Sequence, residues 1–252
     1  SKIRASAYSV GGWFDICLDG TLKNFMAMTA PSIDPAVRGG QRLLVGPWVH
    51  SISRDGKTGE LDFGKESVQD FRQLQFQWFD SRLKGLDSGI DSLAPVRIFV
   101  MGRNVWRGEK EWPLARTQYR DYYLGSGGKA NTRLGDGILS TVSPAADTPD
   151  RFIYDPRDPV ISSDEGPYDQ AAKELRPDIL VYSTPPLEAD LEVTGPVRAV
   201  IFAESSAPNT DFTVKLVDVY PDGRAMSLCD GIIRASYREP GKKPSNIEPG
   251  KV

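Results

Sequence analysis

Histidine is almost absent from this chain of 252 residues, which carries only His50. Any imidazole chemistry therefore falls to that residue. Cysteine is nearly as scarce, with Cys17 and Cys229 alone. Two cysteines cannot build a disulfide framework, and with one distant His they make a poor zinc set by spacing. No apolar run approaches the ~20 residues that a membrane-spanning helix needs. Neither sign of charge dominates: 31 Lys and Arg face 34 Asp and Glu, for a net charge of -3, and no basic block occurs. That balance offers no electrostatic footprint for nucleic acid or an anionic membrane. Without a glycine-rich phosphate signature or metal-ligand spacing, no cofactor and no metal is expected.

What is there describes a globular chain. Hydrophobic residues make up 39% and charged residues 26%, in proportions that can bury a core. The length suits one large domain or two ordinary ones. The first strand, Ala7 to Val10 running into Gly11-Gly12-Trp13, follows Ser1 with almost no lead-in. The other end, from Lys242 to Val252, is polar and proline-broken. Both features suggest a piece of something longer, so the compartment is left open, with a cytoplasmic one favoured.

Residues 1–90 read as alternating strands and helices. Leu22, Phe25, Met26 and Met28 predict a short helix over 21–29, closed before Pro31, and Arg42 to Gly46 is a short apolar strand before Pro47. Ser67 is placed as the cap of the next helix, with Asp70 near N3. Phe71, Leu74, Trp78, Phe79 and Leu83 follow at helical spacing, and Gly85 stops it. Strand, helix, strand, helix implies parallel pairing in an α/β layer. From about residue 91 the runs change to period two: Val96 to Val100, Val197 to Ala203 and Phe212 to Leu216. A turn at Pro221 to Arg224 then leads into Ala225 to Ile233 as a hairpin. Residues 91–252 are thus expected to form an all-β sandwich with long loops, following an α/β portion over 1–90.

The chemistry concentrates at two places. Asp15 follows the first strand, and His50 lies four residues past Gly46, just beyond the second. In an open parallel sheet, catalytic groups collect at the carboxyl ends of the strands. An Asp that accepts the Nδ1 proton of a His leaves Nε2 free as a general base, in the order Asp then His of an α/β-hydrolase triad. An unrelated capping Asp and a surface or core imidazole would satisfy the same spacing. No G-x-S-x-G pentapeptide occurs to supply a nucleophile, and Gly125-Ser126-Gly127-Gly128 sits in a polar turn. Asp211, Asp222 and Asp230 are read as turn residues before cation ligands. A second reading is a carbohydrate- or protein-binding sandwich using Trp106, Trp112, Tyr119, Tyr122 and Tyr123 as aromatic platforms.

Gly11-Gly12-Trp13-Phe14-Asp15 and Gly46-Pro47-Trp48-Val49-His50 resemble the acid and base motifs of the cocaine-esterase-like hydrolases. That superfamily includes X-Pro dipeptidyl-peptidases, α-amino-acid ester hydrolases and glutaryl acylases. The likeness continues through Trp78 to Gly85, Val96 to Gly102, Leu191 to Pro196 and Asp211 to Gly223. It implies the end of an α/β-hydrolase sheet followed by a jelly-roll, galactose-binding-like β-sandwich that is incomplete at its C-terminus. It also implies that Asp15 and His50 are acid and base of a Ser-His-Asp triad whose serine lies on an upstream catalytic segment. The substrate would be a small ester, amide or short peptide, the chain alone would be inactive, and a homo-oligomer is left open. In relatives that select an α-amino group, acidic residues follow the triad Asp. Here Cys17 and Leu18 stand there, which implies a parent that does not hold a substrate ammonium. The resemblance makes Cys17 a candidate acyl-pocket residue, against a plain packing thiol.

Overall fold

The computed structural model describes residues 3–145, 148–162 and 165–252. Strand β1 (Tyr8–Gly12) leads to helix α1 (Leu18–Thr29), a short helix α2 (Pro35–Gly39) and strand β2 (Arg42–Gly46). The pair β3 (Lys57–Thr58) and β4 (Leu61–Asp62) precedes helix α3 (Phe71–Lys84), β5 (Val96–Val100) and β6 (Val105–Glu109). Beyond these lie β7 (Tyr123–Gly125), β8 (Ile138–Ser140), β9 (Asp211–Val219) and β10 (Ala225–Arg234).

The main sheet has the order β1-β2-β5-β6. Its first three strands are parallel, with Tyr8 to Gly12 opposite Arg42 to Gly46 and Leu43 to Val45 opposite Val96 to Ile98. Alternation along β2 builds two cores. Leu43 and Val45 point to one side, where Phe25 of α1 joins Val96, Ile98, Trp112 and Leu114. Leu44 points to the other, where Leu74 and Trp78 of α3 meet Trp48 and Ile90. Each such side chain, taken fully from water, contributes about 1.5–3 kcal/mol before the entropic cost of ordering it. A strand covered on both faces reads as a continuous apolar run, as Leu43-Leu44-Val45 does.

Two helix boundaries differ from expectation. Helix α1 starts at Leu18, three residues earlier than the apolar spacing implied. Helix α3 is capped by Asp70, whose carboxylate accepts the Gln73 amide at 3.0 Å. Ser67 is not the cap. It ends a 3-10 turn, where its hydroxyl donates to the Gly64 carbonyl at 2.7 Å. A cap must sit where the chain leaves extended geometry, and Val68 after Ser67 is still extended. The stop at Gly85 has φ 68°, a left-handed conformation favourable to glycine.

The change of character near residue 90 is not a change of sheet. Strand β5, expected to open the β region, pairs in parallel with β2, and β6 extends the same sheet antiparallel. Past β6, no α-helix occurs among the described residues, and the chain is β-rich. Strands β7 and β8 form one hairpin, and β9 and β10 another, with a register shift between Ser227 and Cys229. Long irregular segments join them. Val197 to Ala203, expected as a strand, belongs to no strand, and Phe202 is 85% exposed. Alternation marks two faces, but a strand also needs a neighbour to take its ladder.

Ion pairs tie the main sheet to this β-rich part. Arg107 on β6 grips Glu192 through two hydrogen bonds of 2.9 and 2.8 Å and also reaches Glu109, which pairs with Arg116. Thr117 Oγ1 donates to the Thr194 carbonyl at 2.9 Å. The Arg107 hydrogen bonds hold the Glu192 carboxyl well below its ordinary 4.5, at about 2. Folding favours its charged form, so its contribution is whole above about 4.5 and is lost as pH falls toward about 2. Thermal melts of Glu192→Gln against the parent chain check this. The melting-temperature gap is expected to be full near neutral pH and to close across that acidic window. A gap that persists below it contradicts the ion pair's role.

Candidate active site

The site is built where β1 and β2 end side by side. Their pairing continues past the strands, since the Trp13 amide donates to Gly46 O at 2.8 Å and the Phe14 amide to Trp48 O at 3.0 Å. Glycine is required at both crossings. A Cβ on Gly12 would lie 2.0 Å from the Trp48 carbonyl oxygen, and one on Gly46 would lie 2.4 Å from the Trp48 ring. That indole is 1% exposed and packs on Phe71 and Trp106, so it cannot yield. On the far side, Thr58 Oγ1 on β3 holds the Pro47 carbonyl at 2.7 Å.

The two loops set Asp15 beside His50. Asp15 Oδ1 lies 3.0 Å from His50 Nδ1, and the same oxygen accepts the Cys17 amide at 2.8 Å. The Asp15 side chain is 10% exposed and the imidazole 64%, so the acid is shielded and the ring is open. A carboxylate at this distance favours the tautomer protonated at Nδ1, which leaves Nε2 as the acceptor. Cys17 is exposed at the start of α1, which does not suit a buried packing thiol. One ligand-type atom from each of Asp15, Cys17 and His50 lies within 4.8 Å of the others.

One residue of this site had no signal in the sequence. Glu165 Oε2 accepts the His50 backbone amide at 3.3 Å. It comes from the Gly-, Pro- and Asp-rich stretch between β8 and β9, where nothing marks one acidic residue over another. The residues after it are docked firmly. The Glu60 amide donates to Pro167 O at 2.9 Å, and the Tyr168 amide donates to the buried Ser227 hydroxyl on β10 at 3.0 Å.

The other candidates resolve into structural roles. Trp112 is buried in the first core, and half-buried Trp106 packs on Trp48 and Phe99 while donating to the Glu66 carbonyl at 2.7 Å. The binding-platform reading thereby loses Trp112 to the interior and one face of Trp106 to packing, leaving exposed Tyr119, Tyr122 and Tyr123. Asp211 and Asp230 form cross-strand ion pairs with Arg234 and Lys215, and Asp222 pairs with Arg224 at the hairpin turn. The Ser126 hydroxyl donates to Asp150 at 2.6 Å, alongside the Ala130 amide and the Tyr182 hydroxyl, which makes its glycine-rich turn a structural knot.

Residues 88–252 match the family described as the X-Pro dipeptidyl-peptidase C-terminal non-catalytic domain. The chain belongs to that family. The matched residues of this X-Pro dipeptidyl-peptidase C-terminal domain begin after His50, so Asp15 and His50 lie on the stretch that precedes them. Cocaine esterase from Rhodococcus sp. (strain MB1 Bresler) is 42% identical over 98% of the chain, which covers 44% of that protein. An aminopeptidase from the marine-sediment archaeon Thaumarchaeota archaeon superposes with a TM-score of 0.71 at 26% identity, over 99% of this chain and 43% of its own. An α-amino acid ester hydrolase superposes equally well, TM-score 0.71, at 22% identity over 100% of this chain and 44% of its own, which speaks to fold alone. The chain therefore spans less than half the length of these relatives, which are esterases and peptidases by name.

Proposed function

We propose that this chain supplies the acid and base of a serine hydrolase. Asp15 orients His50, and His50 Nε2 takes the proton of a serine carried on a segment that is not among these residues. The observation that carries the reading is the 3.0 Å contact between Asp15 Oδ1 and His50 Nδ1 at the carboxyl ends of adjacent parallel strands. The serine attacks an acyl carbonyl, His50 passes the proton to the leaving alcohol or amine, and water then releases the acyl group by the same relay. The substrate is a small ester, amide or short peptide. With Cys17 and Leu18 after the acid, no carboxylate stands at those two positions to bind a substrate ammonium. Cys17, exposed beside the imidazole, borders the acyl group. We take the catalytic portion to run through β6, past the division at residue 90, and the β-rich remainder to be a jelly-roll sandwich.

A base without its nucleophile and oxyanion donors does little, since proton transfer by a positioned His contributes only ~10²–10⁴-fold. The chain alone is expected to leave a chromogenic ester unhydrolysed and to take no label from a fluorophosphonate. The longer protein that carries it is expected to label at one serine. Stoichiometric labelling of a serine within these residues would overturn the assignment.

A further inference from the structure

We propose that Asp15, Cys17 and His50 form a three-ligand site for a zinc-class divalent cation, with a fourth position open to water. The donors are a carboxylate, a thiol and an imidazole, the set that borderline-soft Zn²⁺ accepts. One ligand atom from each lies within 4.8 Å of the others. The Asp15 Oδ1 to His50 Nδ1 separation of 3.0 Å is close to the edge of a zinc tetrahedron, about 3.3 Å for metal–ligand bonds of 2.0–2.1 Å. Cys17 and the His50 side chain are both exposed, so each has solvent space in which to turn toward a shared ion. Their backbones are fixed: the Cys17 amide is bonded to Asp15, and the two loops interlock through Gly12 and Gly46. Sequence spacing argued against a zinc set because the ligands sit on loops after two different strands, which only the sheet brings together.

The chemistry balances without any redox partner. Cys17 gives its thiol proton to solvent and binds as thiolate. The His50 proton moves from Nδ1 to Nε2, freeing the Nδ1 lone pair, and Asp15 exchanges that hydrogen bond for a metal bond. With the cation in place, Nε2 carries a proton and cannot act as a base, so metal occupancy and proton abstraction by His50 exclude each other. Only this inhibitory consequence rests on the catalytic reading; the site itself does not.

Calorimetric titration of the chain with ZnCl₂ tests the site, with Co²⁺ as a coloured substitute. One equivalent is expected to bind, and Co²⁺ is expected to give a sulfur-to-cobalt charge-transfer band in the near ultraviolet. Cys17→Ser and His50→Gln should each weaken Zn²⁺ binding by at least about tenfold, the lower range seen for losing even an outer-shell partner. Cys17→Ser should also abolish the band, and Cys229→Ser should change neither. Both targeted side chains are exposed, and circular dichroism verifies that the variants keep their fold, with Cys17→Ala as a second removal of the thiol. Zinc affinity unchanged by Cys17→Ser, a band that depends on Cys229, or no saturable binding overturns the proposal. Failure here alongside His50-dependent hydrolysis by the longer protein sinks the metal site alone. Zinc binding without such hydrolysis sinks only the catalytic reading.

Discussion

Asp15→Asn in the longer protein that carries this chain is expected to lower kcat by about 10⁴-fold, the scale on which losing the orienting carboxylate acts in a triad. The side chain keeps its size and its shielded place, so the fold and KM should change little. What changes is the proton. An aspartate beside Nδ1 can only accept, whereas asparagine can turn its amide toward the ring and favour the tautomer protonated at Nε2. The base is then blocked. His50→Ala removes the base outright and is expected to cost at least as much. The chain's single histidine makes the cause separately visible, because a nitrogen-15 imidazole spectrum contains one ring only. It should report Nδ1 protonation in the parent chain and a shift toward Nε2 in Asp15→Asn. A fall in kcat of less than tenfold, with the spectrum unchanged, would remove Asp15 from the mechanism.

Gly12→Ala is expected to be the most damaging single methyl group in the main sheet. Its Cβ would sit 2.0 Å from the Trp48 carbonyl oxygen, and no side-chain rotation moves a backbone atom aside. That oxygen also accepts the Phe14 amide, so relief requires separating the ends of β1 and β2 and weakening the bonds at Trp13 and Phe14. A cost of about 3 kcal/mol, the upper end of ordinary overpacking, follows because the clash is with backbone. For a domain of this size that is a drop in melting temperature of roughly 6–12 °C. Gly20→Ala, on the exposed side of α1 with nothing near its added methyl, serves as the control and should not destabilise. Equal melting temperatures for Gly12→Ala and the parent chain would show that the loops have room that the geometry denies them.

The legible parts of the fold were those whose pattern is enforced locally. Leu43-Leu44-Val45 is apolar without a break because both faces of β2 are covered, and β9 and β10 announce themselves by alternation around a Pro-Asp-Gly turn. The meeting of Asp15 and His50 was legible because both follow strands that pair in parallel. Glu165 was not, since its role depends on a docking that no local pattern encodes. The sheet membership of β5 was hidden for a related reason: Val96 to Val100 alternates in sequence, yet four of its five residues are buried. Period two was a weak guide once both faces were covered. Ser67 misled because two capping residues stand three apart, and only the backbone at Val68 decides between them.

The contact between Glu165 and the His50 amide spans 115 residues of chain. Closing so long a loop carries an entropic cost that this one hydrogen bond cannot meet by itself. It persists because Pro167 and Tyr168 are already fastened to the β3–β4 turn and to Ser227. The ordering of the imidazole's backbone is therefore thermodynamically linked to β10, far away in the chain. Exchange of that one amide hydrogen with solvent becomes a gauge of whether the β-rich part is folded at all.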